Sequence, residues 1–99
     1  MEIDTNQVFN SFENQPLKDN NDKILTLRDV IISSLIGVYP DEQSLSGEDK
    51  FERGELASKI YNNNNIINLK AEEIVLIKKL IAKMYGTFIV WSTYKILDK

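Results

Sequence analysis

Apolar residues recur three or four positions apart in three stretches of the chain, the spacing of a helix with one buried face. These stretches predict helices over Leu27–Ile36, Gly47–Tyr61 and residues 71–85. Their apolar faces should meet in a common core, built from Leu27, Val30, Ile31, Leu35, Phe51, Leu56, Ala57, Ile60, Tyr61, Ile74, Ile77, Leu80, Ile81 and Met84.

Polar and small residues mark where these helices begin and end. Thr26 and Ser46 each stand three residues before an aspartate and are predicted to cap the first two helices. Gly37 follows the first helix, where a left-handed residue is expected, and Pro40 prevents continuation. Four asparagines at 62–65 should end the second helix.

Residues 87–97 are apolar and aromatic and fit two structures. Phe88, Val90, Ser92 and Tyr94 alternate as they would in a strand, whereas Thr87 is a suitable cap for a fourth helix. We favour the helix, because the preceding elements are helical and a strand would need a distant partner.

Residues 1–23 are polar with short apolar patches, a candidate strand at 8–12 and a turn ending at Pro16. They predict a small irregular hairpin that returns at Leu17 and at 24–25, and a frayed arm is the alternative. Residues 66–69 suit a short bridging strand. We therefore expect a single domain over residues 1–99, mainly α, with a core of three to four helices (24–97) and a short N-terminal β-hairpin.

Composition removes several classes of chemistry. The 99 residues include no cysteine and no histidine, which excludes disulfides, thiol nucleophiles and histidine bases. No catalytic constellation is left, so no cofactor, no metal and no enzymatic activity is expected. The chain begins with acidic residues where a secretory signal would be basic, and its apolar runs are too short to span a membrane. A cytoplasmic protein is expected.

The net charge of −3 is distributed unevenly, since residues 69–99 carry six lysines against three carboxylates. Three lysines lie toward the C-terminal end of the third helix, where positive charge is favoured by the helix dipole: Lys78, Lys79 and Lys83. We favour a solvated helix face for them over a phosphate-binding site. Nucleic-acid binding is therefore not favoured. A solvated face is likewise favoured over a metal or acid–base site for four carboxylates of the second helix: Glu48, Asp49, Glu52 and Glu55.

Four aromatic residues near the C-terminal end form a candidate interaction surface: Tyr85, Phe88, Trp91 and Tyr94. Aromatic side chains dominate both the centres of interfaces and the cores of small domains. For Trp91, the only tryptophan, a core position is the favoured alternative. Whatever the other elements leave uncovered around Phe88, Trp91 and Tyr94 is where a partner would bind.

Several segments together resemble a group of small proteins from tailed phages and prophages: LTLRDV (25–30), LSGEDK (45–50), ELASKI (55–60), LKAEEI (69–74) and IKKLI (77–81). The resemblance covers about three quarters of the chain and rests on cap and core positions. It implies a hairpin-like N-terminal segment followed by helices, and it transfers no active site. Lys70 stands where a serine or threonine cap is expected, and Asn68 is the alternative cap.

These observations favour a phage-type protein that acts by protein–protein interaction, as an accessory factor or inhibitor of a host protein. A tail or head assembly chaperone or connector is one alternative, and a nucleic-acid-associated regulator is another. The expected partner is a host or phage protein, a second copy of the chain, or both, and no membrane is involved.

Overall fold

The computed structural model describes residues 1–63 and 66–98, and this part of the chain folds into four α-helices and two short strands. A 3-10 turn, Pro40–Glu42, joins the first two helices. The predicted class, a mainly α domain of three to four helices with a short N-terminal β-hairpin, is confirmed. The elements are β1 (Glu2–Asp4), α1 (Leu27–Ile36), α2 (Gly47–Tyr61), β2 (Ile66–Asn68), α3 (Ala71–Met84) and α4 (Thr87–Leu97).

The bounds of α1 and α2 follow from their caps, as predicted. Thr26 Oγ1 accepts a hydrogen bond from the Asp29 backbone N–H at 3.2 Å, and Ser46 Oγ accepts one from Asp49 at 3.1 Å. Each bond satisfies a backbone donor that the first turn of a helix leaves free. Asn62 caps the other end of α2, while residues 64 and 65 lie outside the described part of the chain.

Predictions at two other helix ends differ from the structure. Gly37 directly follows α1 as its cap, as predicted, but it is extended, with φ of −67°, and not left-handed. A Cβ at this position would lie 2.6 Å from Met84 Cε and 3.2 Å from a backbone oxygen of α1, so a larger residue would require the flexible Met84 side chain to move and the neighbouring backbone to shift slightly. Asn68 does not cap α3, because its Oδ1 accepts a hydrogen bond from the Met1 ammonium at 3.0 Å.

At α3 the backbone N–H of the cap residue Lys70 instead donates to Glu73 Oε1 at 2.8 Å. The fourth helix, favoured over a strand for residues 87–97, is confirmed. Its cap is Gly86, so Thr87 is the first residue of α4 and not its cap.

The core is centred on α1, which packs against both α2 and α3, while α4 packs on α3. Three predicted core residues are instead exposed: Phe51, Tyr61 and Met84. They lie at the edges of the apolar stripes, and the ring of Tyr61 faces the guanidinium of Arg28 at 5.2 Å. The fully buried apolar side chains are Leu27, Val30, Ile31, Ile60, Leu69, Ile77, Leu80 and Ile81.

The regular strand pair joins distant parts of the chain. β1 and β2 are antiparallel, and Ile3 stands opposite Ile67, both buried. The Met1 ammonium extends this seam by donating to the backbone oxygen of Leu69 at 2.9 Å. The first residues are therefore held against the segment that leads into α3.

Residues 8–26 form the predicted irregular hairpin as a meander of three short segments, linked by isolated bridges. The central residues of the segments, Phe9, Leu17 and Leu25, are eight positions apart and form a ring of backbone hydrogen bonds. Leu17 donates to Phe9 and Leu25 donates to Leu17, each at 2.8 Å, and Phe9 donates to Leu25 at 3.4 Å. This ring satisfies the backbone of an otherwise short and polar stretch.

Two turns of the same conformation connect the three segments. In each, the side-chain oxygen of the first residue, Ser11 or Asp19, accepts hydrogen bonds from two backbone N–H groups of the turn. The fourth residue of each, Asn14 or Asp22, has a positive φ of 62° or 64°, which asparagine and aspartate tolerate better than most residues. The meander is thus an eight-residue structural repeat, with Phe12 at the tip of its first turn.

Candidate interaction surface

Three aromatic side chains meet at the surface where the first turn of the meander reaches α4. The Phe12 ring lies edge-on to Phe88, with centroids 5.1 Å apart and an angle of 81° between the planes. Trp91 completes the group, with its centroid 5.6 Å from Phe12 and 5.9 Å from Phe88. Phe12 remains 81% exposed and Trp91 46% exposed. We call this group the aromatic patch.

The geometry of α4 explains which of its residues belong to the patch. Phe88 and Trp91 are three positions apart and therefore lie on one face of the helix. Lys95, one turn after Trp91, places its Nζ 4.5 Å from the centre of the Trp91 ring. A cation so placed is attracted by the ring electrons, so one edge of the patch is positively charged.

The favoured core position of Trp91 is wrong. The buried face of α4 is formed by Thr93 and Leu97, which are four positions apart. Trp91 precedes Thr93 by two positions, about 200° around a helix, so it points away from the core. α4 has apolar side chains on more than one face, and α3 covers only one of these faces, so Trp91 lies at the surface.

The structure separates the other two candidate residues from the patch. Tyr94 donates from its hydroxyl to the backbone oxygen of Lys78 at 3.2 Å, so it joins α4 to α3. Tyr85 is partly buried and packs against the core. Burial raises the pKa of Tyr85 above its usual value. Both tyrosines hold the helices together.

Sequence reasoning missed Phe12, because 76 positions separate it from Phe88. One signal was present in the repeat. The tip of the first turn carries a phenylalanine where the tip of the second carries Asn20. A large apolar side chain in an exposed, otherwise polar turn indicates that another part of the chain, or a partner, contacts it.

The predicted solvated lysine face is only partly observed. Lys79 is exposed, but Lys78 forms an ion pair with Asp98 at 2.5 Å and lies over the Tyr94 ring. Lys83 pairs with Asp41 at 3.0 Å and with Glu42 at 3.3 Å. These contacts neutralise part of the positive charge of α3.

A buried ion pair anchors the 3-10 turn to α2. The two terminal nitrogens of the Arg53 guanidinium, Nη1 and Nη2, donate to the Glu42 carboxylate at 2.7 and 2.8 Å, and the two side chains are 8% and 11% exposed. The guanidinium hydrogen bonds lower the pKa of Glu42 to about 2, and Lys83 acts in the same direction. The carboxylate in turn raises the pKa of Arg53.

A groove of about 610 Å³ opens beside this ion pair, between the end of α1, the 3-10 turn and α2. Tyr39 is buried at its wall and donates from its hydroxyl to the Ser34 backbone oxygen at 2.6 Å. Burial raises the pKa of Tyr39. We call this the α1–α2 groove; its lining includes Leu35, Ile36, Val38, Pro40, Leu45 and Gly54.

The four carboxylates of α2 are exposed, as a solvated face requires: Glu48, Asp49, Glu52 and Glu55. Over residues 1–63 and 66–98, no three acidic side chains come together in a way that could hold a metal ion. Within the same residues, no helix has both the length and the apolar character needed to cross a bilayer.

Comparisons with protein-family models, with curated proteins and with solved structures found no match for this chain.

Proposed function

We propose that this protein acts without catalysis, by binding another protein through the aromatic patch. The observation that carries the proposal is the exposure of Phe12 and Trp91 beside Phe88. Large aromatic side chains contribute most of the binding energy at the centres of interfaces, and a cluster of them left in water is unfavourable for an isolated chain. The turn and α4 hold the rings in contact, so little ordering is needed on binding.

The sequence resemblance to small phage proteins supports a phage-type accessory factor or inhibitor that binds a host protein. An assembly chaperone or connector for a tail or head would use the same surface on a virion protein. A nucleic-acid regulator is disfavoured, because Lys78 and Lys83 are paired with carboxylates and are not free to bind phosphates.

The proposal is tested by comparing the partners captured by the wild-type protein and by three variants. Phe12→Ala and Trp91→Ala remove rings of the patch. Phe51→Ala is the matched control, because Phe51 is an aromatic residue of α2 that is 67% exposed and outside the patch. The partner captured from bacterial and phage-infected lysates is then purified and titrated by calorimetry.

We expect Phe51→Ala to bind like the wild type and Trp91→Ala to bind at least about 30-fold more weakly, the effect of losing a central tryptophan. Circular dichroism would establish that each variant is folded. A partner that binds both patch variants as tightly as the wild type would contradict the proposal. A virion protein as the patch-dependent partner would select the assembly role, and a host protein the inhibitor role.

A further inference from the structure

A second groove, of about 510 Å³, opens between α2 and α3. Both helices pack against α1 far more than against each other, so the space between them is left unfilled. One face of each helix forms a wall, because the lining residues recur at helical spacing: Phe51, Glu52, Glu55, Leu56 and Lys59 of α2, and Glu72, Glu73 and Leu76 of α3. Lys70, the cap of α3, completes the lining. We call this the α2–α3 groove.

The α2–α3 groove has an apolar strip along its length. Leu56 is buried and Leu76 is half-buried, one on each wall. The ring of Phe51 lies beside them and is 67% exposed. An inserted apolar side chain would cover this ring, which the chain itself leaves in water.

The charge of the groove is acidic on both walls. Two lysines of the lining stand against four carboxylates, two from each helix: Glu52, Glu55, Glu72 and Glu73. The lysines mark the end where the chain passes from α2 to α3, since Lys59 Nζ donates to the backbone oxygen of Asn68 at 3.4 Å. Over residues 1–63 and 66–98, none of the four carboxylates forms an ion pair.

This charge selects among the classes of occupant. Carboxylates on facing walls repel one another, and positive charges brought between them would relieve that repulsion. A metal ion is not the source, because no three acidic side chains of the described residues come close enough to hold one. Nucleic acid and anionic membrane surfaces would be repelled, and so would the same groove of a second copy. The occupant that fits is positively charged at intervals and apolar between its charges.

We propose that the α2–α3 groove binds a basic amphipathic helix of a partner protein. Its apolar side chains would lie against Phe51, Leu56 and Leu76, and lysines or arginines on both flanks of its apolar stripe would face the glutamates of the two walls. Laying an amphipathic helix into an apolar groove is a recurring mode of recognition. The acidic walls specify the charge of the helix that enters this one.

This inference does not rest on the proposed function, because the groove and the aromatic patch share no residue. Phe51→Ala is expected to leave binding at the patch unchanged and to weaken binding in the groove. Trp91→Ala is expected to do the reverse. The two proposals can therefore fail independently.

The probe is a fluorescently labelled helical peptide of about four turns, with leucines on one face and lysines on the others. In one matched peptide glutamate replaces every lysine, and in a second serine replaces every leucine. Fluorescence anisotropy measures the affinity of each for the full chain. The leucine–lysine peptide should bind at least about 10-fold more tightly than either matched peptide, because the groove requires both the charge and the apolar face.

Substitutions in the chain locate the binding. The pair Glu52→Gln and Glu55→Gln should weaken it about 5-fold to 10-fold, the effect of losing two exposed charge contacts. Glu48→Gln with Asp49→Asn is the matched control, since it removes the same charge from the same helix outside the groove lining. It should change the affinity by less than about 2-fold, because salt screens distant exposed charges. Phe51→Ala should weaken binding about 10-fold.

Four outcomes would overturn the inference. The first is no saturable binding of the leucine–lysine peptide up to about millimolar peptide. The second is equal weakening by the groove pair and the control pair, which would mean attraction to the net charge alone. The third is equal affinity for the serine–lysine peptide. The fourth is a dimer in sedimentation equilibrium that the Glu52→Gln, Glu55→Gln variant loses, which would assign the groove to a second copy. Circular dichroism establishes that each variant is folded.

Discussion

Thr93 is fully buried in α4, and among the described residues its Oγ1 atom has no hydrogen-bond partner. A buried hydroxyl in this position has lost its bonds to water and gained none in return. Its two branches at Cβ still fill space in the core. Shape and polarity therefore act in opposite directions at this residue, and a substitution can separate them.

Thr93→Val should stabilise the fold by about 1 kcal/mol, because it keeps the shape of the side chain and removes the unsatisfied hydroxyl. Urea denaturation followed by circular dichroism would measure the change. Thr93→Ser is the matched control, since it keeps the hydroxyl and loses a methyl group, and it should destabilise by about 1 kcal/mol. A loss of stability in Thr93→Val would mean that the hydroxyl has a partner.

For single residues, the sequence predicts correctly those roles that depend on residues a few positions away. Thr26 and Ser46 were identified as caps because a cap and its donor are three residues apart. Arg53 was one of several interleaved charges, and its burial depends on Glu42, which belongs to another element. The position of Trp91 is predicted wrongly because α4 is apolar on several sides. Its sequence therefore does not show which side faces the core.

Among the elements, the 3-10 turn depends most on charge. Glu42 of the turn is fixed to α2 by Arg53 and approached by Lys83 of α3. Its pKa of about 2 lies below the usual 4.5, because the carboxylate is hydrogen-bonded to the guanidinium. A carboxylate whose folded pKa is lowered stabilises the fold above its unfolded pKa.

The free energy of unfolding should therefore fall as the pH drops from about 4.5 to about 2, when Glu42 takes up a proton. Chemical denaturation at a series of pH values would measure the slope. The double variant Glu42→Leu, Arg53→Met replaces the pair by apolar groups and should have a shallower slope over this window. Glu48→Gln, at an exposed carboxylate, should keep the wild-type slope, and an unchanged slope in the double variant would contradict the assignment.

The elements themselves were largely predictable, since α1 and α2 occupy the predicted residues and α3 ends one residue earlier. Helical spacing and local caps suffice for that. The meander of residues 8–26 was predicted only as an irregular hairpin, because its eight-residue repeat resides in backbone hydrogen bonds and turn conformations. The two turns share little sequence, so the repeat is hard to detect from residue types.

For the whole molecule, the determining contact is the pairing of β1 with β2. Ile3 and Ile67 are both buried, and the seam closes one side of the core. The sequence indicated a short strand at 66–69 but no partner for it, because nothing local links residues 2–4 to that strand. For the same reason, the sequence identifies Phe88 and Trp91 of the aromatic patch but not Phe12, because Phe12 contacts α4 only in the folded chain.

Ile3→Ala should destabilise the protein by about 3 kcal/mol, because it leaves a cavity in the core of a small domain. Thermal and urea denaturation would measure the loss. Glu2→Ala is the control on the same strand, at an exposed position, and should change the stability by less than about 0.5 kcal/mol. Equal effects from the two substitutions would mean that β1 is not part of the core.

The β1–β2 seam also fixes an order of events during synthesis. Residues 2–4 leave the ribosome before their partner strand at 66–68, which is made only after α1 and α2. At ordinary translation rates of about 5–20 residues per second, the amino-terminal segment therefore waits several seconds for its partner. Throughout that interval Ile3 stays in water, and the nascent chain is open to chaperones and proteases until β2 emerges.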